Sequence, residues 1–260
     1  MKRLALFSLP LVFFCASCVL VFPFDGLTGN GDVVSRNLAL SSFDSIQNHT
    51  SAKVFVRKGS QAKASITIDE NLLEALDVRV DFGTLVIATK PGKSILSSTR
   101  FVVDVSLPSL EELKAYGSGS IVCEDSFSGR KLELSSSGSA DLSGTFDYED
   151  LSISIAGSGD VAATLLAEEL SLRIDGSGDI VLKGRTDDVE ARINGSGDIA
   201  GRDFSVRRAQ IGIFGSGSAT FRVQDWLKVV IGGSGDVNYY GNPYLDSRSS
   251  GSGRVRRLGS

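Results

Sequence analysis

The sequence predicts an all-β fold, a right-handed parallel β-helix, and three observations carry this prediction. A Gly-Ser-Gly tripeptide recurs about every 19 residues through the second half of the chain. Apolar and polar residues alternate before and after each tripeptide, as in half-buried strands. No segment between the tripeptides has the 3.6-residue apolar spacing of a helix. The tripeptides begin at Gly117, Gly157, Gly176, Gly195, Gly215, Gly233 and Gly251, and Ser136-Ser137-Gly138 fills the one gap.

Repeats of this length cannot bury an apolar face alone, so successive coils must stack. We interpret the tripeptides as corners between two strands, with positive φ at glycines such as Gly178 and Gly197. In the alternative fold, an antiparallel meander or sandwich, they would be hairpin turns, but such a fold has no reason to keep one turn at every second strand. The predicted corner residues are Gly157, Gly159, Asp160, Gly176, Gly178, Asp179, Gly195, Gly197, Asp198, Gly233, Gly235 and Asp236.

The segment from residue 41 to 116 is less regular but also has the composition of strands. Its β-branched runs are separated by Lys58-Gly59, Phe82-Gly83 and Pro91-Gly92. One helical turn is predicted over residues 69–76, with Asp69 as the N-cap. We expect the strands to begin the same solenoid, over residues 52–57, 64–68, 78–81, 85–89 and 101–106.

The first residues have the pattern of an export signal. Lys2 and Arg3 precede an apolar run over residues 4–14 that is too short to span a bilayer. The following Cys15-Ala16-Ser17-Cys18 resembles the bacterial lipobox, in which small residues precede a cysteine that becomes diacylated. We therefore predict an exported, membrane-anchored protein of the cell envelope; the alternative is plain export with cleavage near Ser17. The predicted organisation is a signal peptide over 1–17, a tether over 18–40 lipidated at Cys18, a β-helix over 41–250 and a basic tail over 251–260.

Composition argues against most enzyme classes. The chain has one histidine, so a His-rich zinc site is excluded and a Ser-His-Asp or Cys-His site would have to use His49. The formal charge of −4 lacks the basic excess that nucleic acid binding requires. If Cys15 leaves with the signal and Cys18 carries lipid, only Cys123 remains, and its alternation with Ile121 indicates a buried core thiol. We predict a protein without enzymatic activity, without a cofactor and without a nucleic acid partner.

The aspartates of the corners have two interpretations. Stacked coils lie about 4.8 Å apart, so Asp160, Asp179 and Asp198 should form a column of carboxylates. Calcium prefers such oxygen ligands, but the nine-residue spacing of calcium-binding β-rolls is absent. We favour exposed turn residues without bound metal.

Two further groups of side chains are candidates for function. The only aromatic cluster that could stack on sugar rings lies near the last coils, although Trp226 and Tyr239 are more typical of core or cap packing. The basic tail is interpreted as a solvated cover for the last coil. The aromatic residues are Trp226, Tyr239, Tyr240 and Tyr244, and the basic ones are Arg248, Arg254, Arg256 and Arg257.

The chain resembles a family of bacterial exported proteins, the putative auto-transporter adhesins with a head GIN domain. The resemblance covers nearly all of residues 41–250 and implies a β-helical envelope protein without known catalytic residues, acting as an adhesin or surface scaffold with a glycan or protein ligand. The alternative function is a carbohydrate-binding or carbohydrate-active β-helix. The chain departs from the pattern where Ser120, Ser139, Ser218 and Arg254 replace the aspartate. The resemblance is carried by Ser42-Phe43-Asp44-Ser45-Ile46, Val78-Arg79-Val80, Gly83-Thr84-Leu85-Val86-Ile87, Leu107-Pro108-Ser109-Leu110-Glu111-Glu112-Leu113 and the Gly-Ser-Gly-Asp series.

Overall fold

A computed structural model describes residues 25–259, which form one 17-stranded sheet and a separate two-stranded pair. The predicted signal peptide and the lipidation site at Cys18 lie outside the described residues. The first ten strands are β1 Asp25–Thr28, β2 Val33–Leu38, β3 Ser45–Asn48, β4 Lys53–Lys58, β5 Lys63–Asp69, β6 Leu76–Asp81, β7 Thr84–Thr89, β8 Lys93–Ser97, β9 Phe101–Leu107 and β10 Glu112–Ala115. The others are β11 Ser120–Gly138, β12 Asp141–Gly157, β13 Val161–Ile174, β14 Ile180–Ile193, β15 Ile199–Ile213, β16 Ala219–Ile231, β17 Val237–Tyr240, β18 Tyr244–Ser249 and β19 Val255–Gly259, and one 3-10 helix covers Glu70–Ala75.

Strands β10 to β19 form parallel ladders, each coil pairing with the next. Leu170, for example, pairs with Leu151 on one side and Val189 on the other, so each partner is one repeat away. The prediction of a parallel β-solenoid is confirmed, with about 8 turns and coils about 19 residues apart. The antiparallel alternative is wrong because the strands on either side of each corner pair in parallel with the next coil.

The core consists of columns of identical or similar apolar side chains. Ile155, Ile174 and Ile193 occupy equivalent positions in three coils and are fully buried. Fully burying an aliphatic side chain of this size stabilises the fold by about 1.5–3 kcal/mol. Because isoleucine recurs at this position in successive coils from Ile155 to Ile231, the same contact between neighbouring coils is repeated along this part of the stack.

The N-terminal end of the stack is built out of chain order. Strands β7 and β9 form the coil beneath β3 and β4, and β10 and the start of β11 then continue above them. Strands β2, β5 and β6 pair antiparallel and close this end. Phe82 and Gly83, at φ 46° and 81°, form the two-residue turn between β6 and β7. Of the strands expected to begin the solenoid, those over 52–57, 85–89 and 101–106 lie in its parallel coils. Those over 64–68 and 78–81 form β5 and β6 of the antiparallel closure, which was not expected from the sequence.

The prediction of a tether over residues 18–40 is wrong for the part that the structure describes. Strand β1 pairs with β8 and strand β2 pairs with β5. The buried carboxylate of Asp69 accepts hydrogen bonds from the N–H groups of Gly31 and Thr99, both at 2.8 Å, and so ties the β1–β2 turn to the body. Burial opposes ionisation of this group, yet these hydrogen bonds hold the pKa of Asp69 below its ordinary value. Asp69 is also the N-cap residue of the 3-10 helix Glu70–Ala75, as predicted, but its side chain makes no capping hydrogen bond there.

The predicted solvated tail over residues 251–260 is also wrong. Strand β19 pairs in parallel with β17 and belongs to the last coil. Arg256 Nη1 lies 3.2 Å from Asp236 Oδ2, and the Arg254 N–H donates to Asp236 Oδ1 at 2.8 Å. The basic residues are thus bound to the acidic corner beneath them.

Apart from Gly138, which has a φ of 107°, the corner glycines are needed for stacking and not for positive φ. Neither Gly178 nor Gly197 is in the left-handed region, so the predicted backbone conformation is wrong. A Cβ atom at Gly197 would meet the carbonyl oxygen of Gly178 well inside the 3.0 Å that Cβ atoms keep from other heavy atoms. The N–H groups of Ser196 and Gly197 share the carbonyl of Gly176, at 2.9 and 3.3 Å. Each corner is therefore seated directly on the backbone of the corner below.

One corner lies two residues from its predicted place. The structure pairs Gly138 with Gly157, so the repeat unit is Gly138-Ser139-Ala140-Asp141 and does not begin at Ser136. In this corner the Asp141 N–H donates to the Gly119 carbonyl at 3.3 Å. The residue equivalent to the aspartates is therefore Asp141, and Ser139 is equivalent to the middle serines.

Replacing Gly197 by alanine should lower the free energy of unfolding by about 3 kcal/mol or more, because the added methyl group forces two backbone layers apart. Ser196→Ala is the matched control, since the Ser196 side chain is exposed, and it should stay within about 0.5 kcal/mol of wild type. Urea denaturation measures both. Equal midpoints for the two variants would contradict the stacking account.

Candidate functional site

The corner aspartates form a ladder of hydrogen bonds that runs along the solenoid. One carboxylate oxygen of each aspartate accepts the backbone N–H of the equivalent residue in the next coil. A carboxylate acceptor makes such a bond stronger than one between neutral groups. The ladder joins Asp160 N–H to Asp141 at 3.0 Å, Asp179 to Asp160 at 2.8 Å, Asp198 to Asp179 at 2.7 Å, Ser218 to Asp198 at 2.6 Å and Arg254 to Asp236 at 2.8 Å.

The ladder weakens at the coil where serine replaces aspartate. The Asp236 N–H meets the Ser218 hydroxyl at 3.4 Å, the longest contact of the series. Asp236 in turn binds the N–H of Arg254 and the guanidinium of Arg256. The corner residues thus fasten one coil to the next, which is a structural role.

No three His, Cys, Asp or Glu side chains converge on a possible metal position within residues 25–259. The aspartates of the ladder each direct one oxygen to a backbone N–H and remain exposed to water. This use of the carboxylate accounts for the aspartate at the corner without requiring a cation.

Cys123 is buried in the core, as the alternation with Ile121 predicts. Burial raises the pKa of the Cys123 thiol to about 12. The thiolate, which is the nucleophilic form, is therefore scarce at neutral pH.

His49 is exposed, as expected, and its ring stacks on Tyr116 with the centroids 4.3 Å apart. Partial burial and the nearby Arg79 lower the pKa of His49. The neighbouring Asn48 and Thr50 are buried and hydrogen-bonded to each other, with Thr50 Oγ1 donating to Asn48 Oδ1 at 2.7 Å. This segment forms the corner on which Gly117 is seated.

The predicted aromatic cluster is divided between two strand ladders, one that includes the pairing of β16 with β18 and one that includes the pairing of β16 with β17. Trp226 and Tyr244 are paired on neighbouring strands of one ladder, where Trp226 is half-buried and Tyr244 is exposed. Tyr239 packs against the core from the other ladder. Tyr240 faces outward, and the guanidinium carbons of Arg202 and Arg222 lie 5.8 and 5.2 Å from its ring centre.

Tyr240 lines an open groove of about 520 Å³ on the outer surface of the last coils, the Tyr240 groove. Two interruptions of the strand pairing border the Tyr240 groove. Residues Arg202 and Asp203 belong to a bulge between Gly201 and Ser205, and Leu258 is the extra residue opposite the step from Tyr239 to Tyr240. The Tyr240 groove is lined by Val181, Leu182, Lys183, Asp198, Ile199, Ala200, Arg202, Asp203, Ser218, Thr220, Asn238, Tyr240 and Leu258.

Cationic and apolar groups meet in the Tyr240 groove. No carboxylate lies within ion-pair distance of Lys183, Arg202 or Arg222 in the part of the chain that the structure describes. Val181 and Leu258 are two of the large apolar side chains that remain exposed, at 43% and 51%. The surface can thus offer hydrogen-bond donors for an anion beside apolar contact area.

A larger groove, of about 760 Å³, lies at the bend between the two ladders. Its acidic residues Glu149, Glu168 and Asp187 occupy equivalent positions of successive coils. Arg207 crosses this groove with its Nη2 atom 3.4 Å from Asp187, while its Nε atom is buried without a hydrogen-bond partner. The column of Glu149, Glu168 and Asp187 follows the repeat, unlike the charges of the Tyr240 groove.

Sequence reasoning missed Arg202, Asp203, Lys183 and the ladder partner Asp141. The sequence does contain a signal for the bulge, because the interval between the corners at Gly195 and Gly215 is one residue longer than each of the three preceding intervals between corners. Which face the additional residue would occupy depends on the pairing register, and that is visible only in the structure.

Replacing Asp160, Asp179 and Asp198 together by asparagine should change the free energy of unfolding by no more than about 1 kcal/mol, because the amide oxygen still accepts the N–H. The alanine triple variant removes the acceptors and should lose about 1–3 kcal/mol. Calorimetric melts with millimolar calcium and with chelator should coincide for the wild type. A calcium-dependent rise in the wild-type melting temperature that the asparagine variant lacks would contradict the ladder account.

Comparison with known proteins places the fold in context. The family model of the putative auto-transporter adhesin, head GIN domain, matches residues 42–243. A putative adhesin from Parabacteroides merdae has a TM-score of 0.85 at 24% identity, covering 90% of this chain and 99% of its own. A putative adhesin from Parabacteroides distasonis has a TM-score of 0.84 at 24% identity, with 90% and 100% covered.

A third solved structure, described as a putative lipid binding protein from Parabacteroides distasonis, has a TM-score of 0.80 at 27% identity, covering 89% of this chain and 99% of its own. Comparison with curated proteins gave no match. The family model covers most of the chain, including every corner from Gly117 to Gly233. The chain therefore belongs to the family of putative auto-transporter adhesins with a head GIN domain.

Proposed function

We propose that the protein is a non-enzymatic, lipid-anchored adhesin or scaffold of the cell envelope. The observation that carries this proposal is the unbroken stack of coils in a chain of an adhesin family. Eight coils at about 4.8 Å each make a rod roughly 38 Å long. Such a rod holds its last coils, and the groove on them, well away from its first.

The rod is rigid enough to present side chains in fixed positions at a cell surface. Its polar corner groups are bound to neighbouring coils, as in the aspartate ladder, and its core columns are continuous. Lys114 is likewise held between Glu112 and Glu133, with Nζ to oxygen distances of 2.5 and 3.0 Å. A repeat array with this coupling is stiff along its axis, so it presents side chains in fixed relative positions.

Anchoring through Cys18 is the second element of the proposal. Residues 25–259 contain no helix of the length and apolarity that a membrane crossing requires. Strand β1 begins at Asp25, and the seven residues from Cys18 span at most about 25 Å when fully extended. A lipid on Cys18 would therefore hold the N-terminal end of the rod close to the membrane, and the C-terminal coils would point away from it.

Bacteria that produce the wild-type protein should incorporate labelled palmitate into it, because the small residues before Cys18 suit lipoprotein processing. Cys18→Ser should abolish the labelling, and Cys15→Ser is the matched control that should keep it. In the same cells, retention of extracellular-matrix proteins and glycans on the surface reports the adhesive role. It should follow the labelling across the three strains.

Equal labelling of wild type and Cys18→Ser would refute the anchor. Labelled cells that retain no more matrix protein or glycan than cells without the protein would refute the adhesive role. The two parts of the proposal can thus fail separately.

A further inference from the structure

We propose that the Tyr240 groove binds a carboxylated saccharide, such as a stretch of a uronate-containing glycan. The proposal names a ligand class for the adhesin described above and rests on that function for its biological setting. The site is assigned from three properties of the groove: its position at breaks in the repeat, its unpaired cations and its mixture of polar and apolar walls.

The first property is that the groove breaks the repeat. Most corners and ladder positions recur in every coil and therefore serve the stack itself. The bulge that carries Arg202 and Asp203 interrupts the pairing of β15 with β16, and the bulge at Leu258 interrupts the pairing of β17 with β19, yet both border this one groove. Bulges occur preferentially beside functional sites because they redirect side chains that would otherwise follow the pleat. Two such features at one groove indicate a site and not a stacking requirement.

The second property is positive charge without a counter-ion. Arg202 and Arg222 both lie over the ring of Tyr240, and Lys183 lies on the neighbouring wall. Two exposed arginines elsewhere in this acidic chain, Arg57 and Arg208, are by contrast paired with carboxylates. Stacking on the ring fixes the guanidinium groups while their N–H donors stay available for a bidentate contact with a carboxylate.

The third property distinguishes a saccharide from a simple anion. Asp203 also lines the groove and would repel a bare phosphate, but a carboxylate is a good acceptor for sugar hydroxyl groups. Asn238 and Thr220 add neutral donors and acceptors. Val181 and Leu258 supply apolar area for the C–H face of a pyranose ring. A ligand that carries a carboxylate, hydroxyl groups and an apolar face uses all of these groups.

Asp198, the remaining carboxylate of the groove, is already engaged in the corner ladder through the N–H of Ser218. Asp203 has no such bond in the corner ladder, so both of its carboxylate oxygens can accept hydroxyl groups. The groove volume of about 520 Å³ falls in the range of small-ligand sites, and the groove is open to solvent.

The test is isothermal titration calorimetry of the purified mature protein with oligogalacturonate, neutral galacto-oligosaccharide and inorganic phosphate. The wild type should bind oligogalacturonate about tenfold or more tightly than either of the other two. Lys183→Gln combined with Arg202→Gln should reduce the affinity for oligogalacturonate by about tenfold or more. The matched control is Arg192→Gln, because Arg192 stacks on exposed Phe214, which lies directly after β15 and outside the groove, with the guanidinium carbon 4.6 Å from the ring centre. It should bind as the wild type does, and thermal melts confirm that each variant is folded.

Four results would overturn the proposal: no binding of oligogalacturonate, equal binding of the neutral sugar, preferential binding of phosphate, or unchanged affinity in the Lys183 and Arg202 double variant. Release of new reducing ends during incubation would also overturn it, since the site would then be an enzyme's. Surface retention of matrix proteins by cells that produce the double variant separates the two proposals. Retention with lost oligogalacturonate binding leaves the adhesive role intact, whereas unchanged oligogalacturonate binding with no retention refutes only the adhesive role.

Discussion

The rest of the structure depends on one contact, the close packing of each glycine corner against the backbone carbonyl of the corner below. At Gly195 and Gly197 the two backbones approach so closely that no side chain fits between them. The approach lets the N–H groups of Ser196 and Gly197 reach a single carbonyl, that of Gly176. Because every N–H at a buried corner needs an acceptor, the contact satisfies the turn while it fixes the distance between coils. A glycine at this position is therefore a consequence of stacking.

The corner contact also sets where the other polar groups lie. Once the corners are in register, each aspartate stands beside the N–H of the equivalent residue in the next coil, and the ladder from Asp141 to Ser218 follows. A strict register leaves few positions free to vary. An additional residue must therefore leave the ladder as a bulge, and the bulge at Arg202 is such a case. The regularity of the stack thus makes the Tyr240 groove recognisable as an exception.

The spacing of the tripeptides and the alternation of apolar residues were sufficient to predict the parallel solenoid. They could not predict the antiparallel pairing of strands β2, β5 and β6, because short strands at an end of the stack have no repeat with which to compare them. The same limit explains the incorrect tether and tail, where Asp25–Thr28 and Val255–Gly259 form strands by pairing with partners distant in sequence. The positive φ expected at Gly178 was a local explanation for a residue that is selected by a contact one coil away.

The candidate site was predictable only in part. The aromatic cluster identified Tyr240, but it also included Tyr244, which lies in the other ladder. Arg202 and Lys183 carry no distinguishing mark in the sequence, because a single cation in an alternating strand looks like any other solvent-facing residue. Whether Arg202 and Lys183 lie beside Tyr240 depends on the register between the four coils that contain β14 to β17 and on the bulge, which are properties of the assembled stack.

Native-state hydrogen exchange at the corners tests the central claim most directly. If corners are seated backbone on backbone, the amides of Ser177, Ser196 and Ser216 open only when the coils separate. Their protection should then match that of Ile174 and Ile193 in the adjoining strands, although the serine side chains are exposed. Exchange of the serine amides at the rate of an open loop, with the strand amides still protected, would contradict the account.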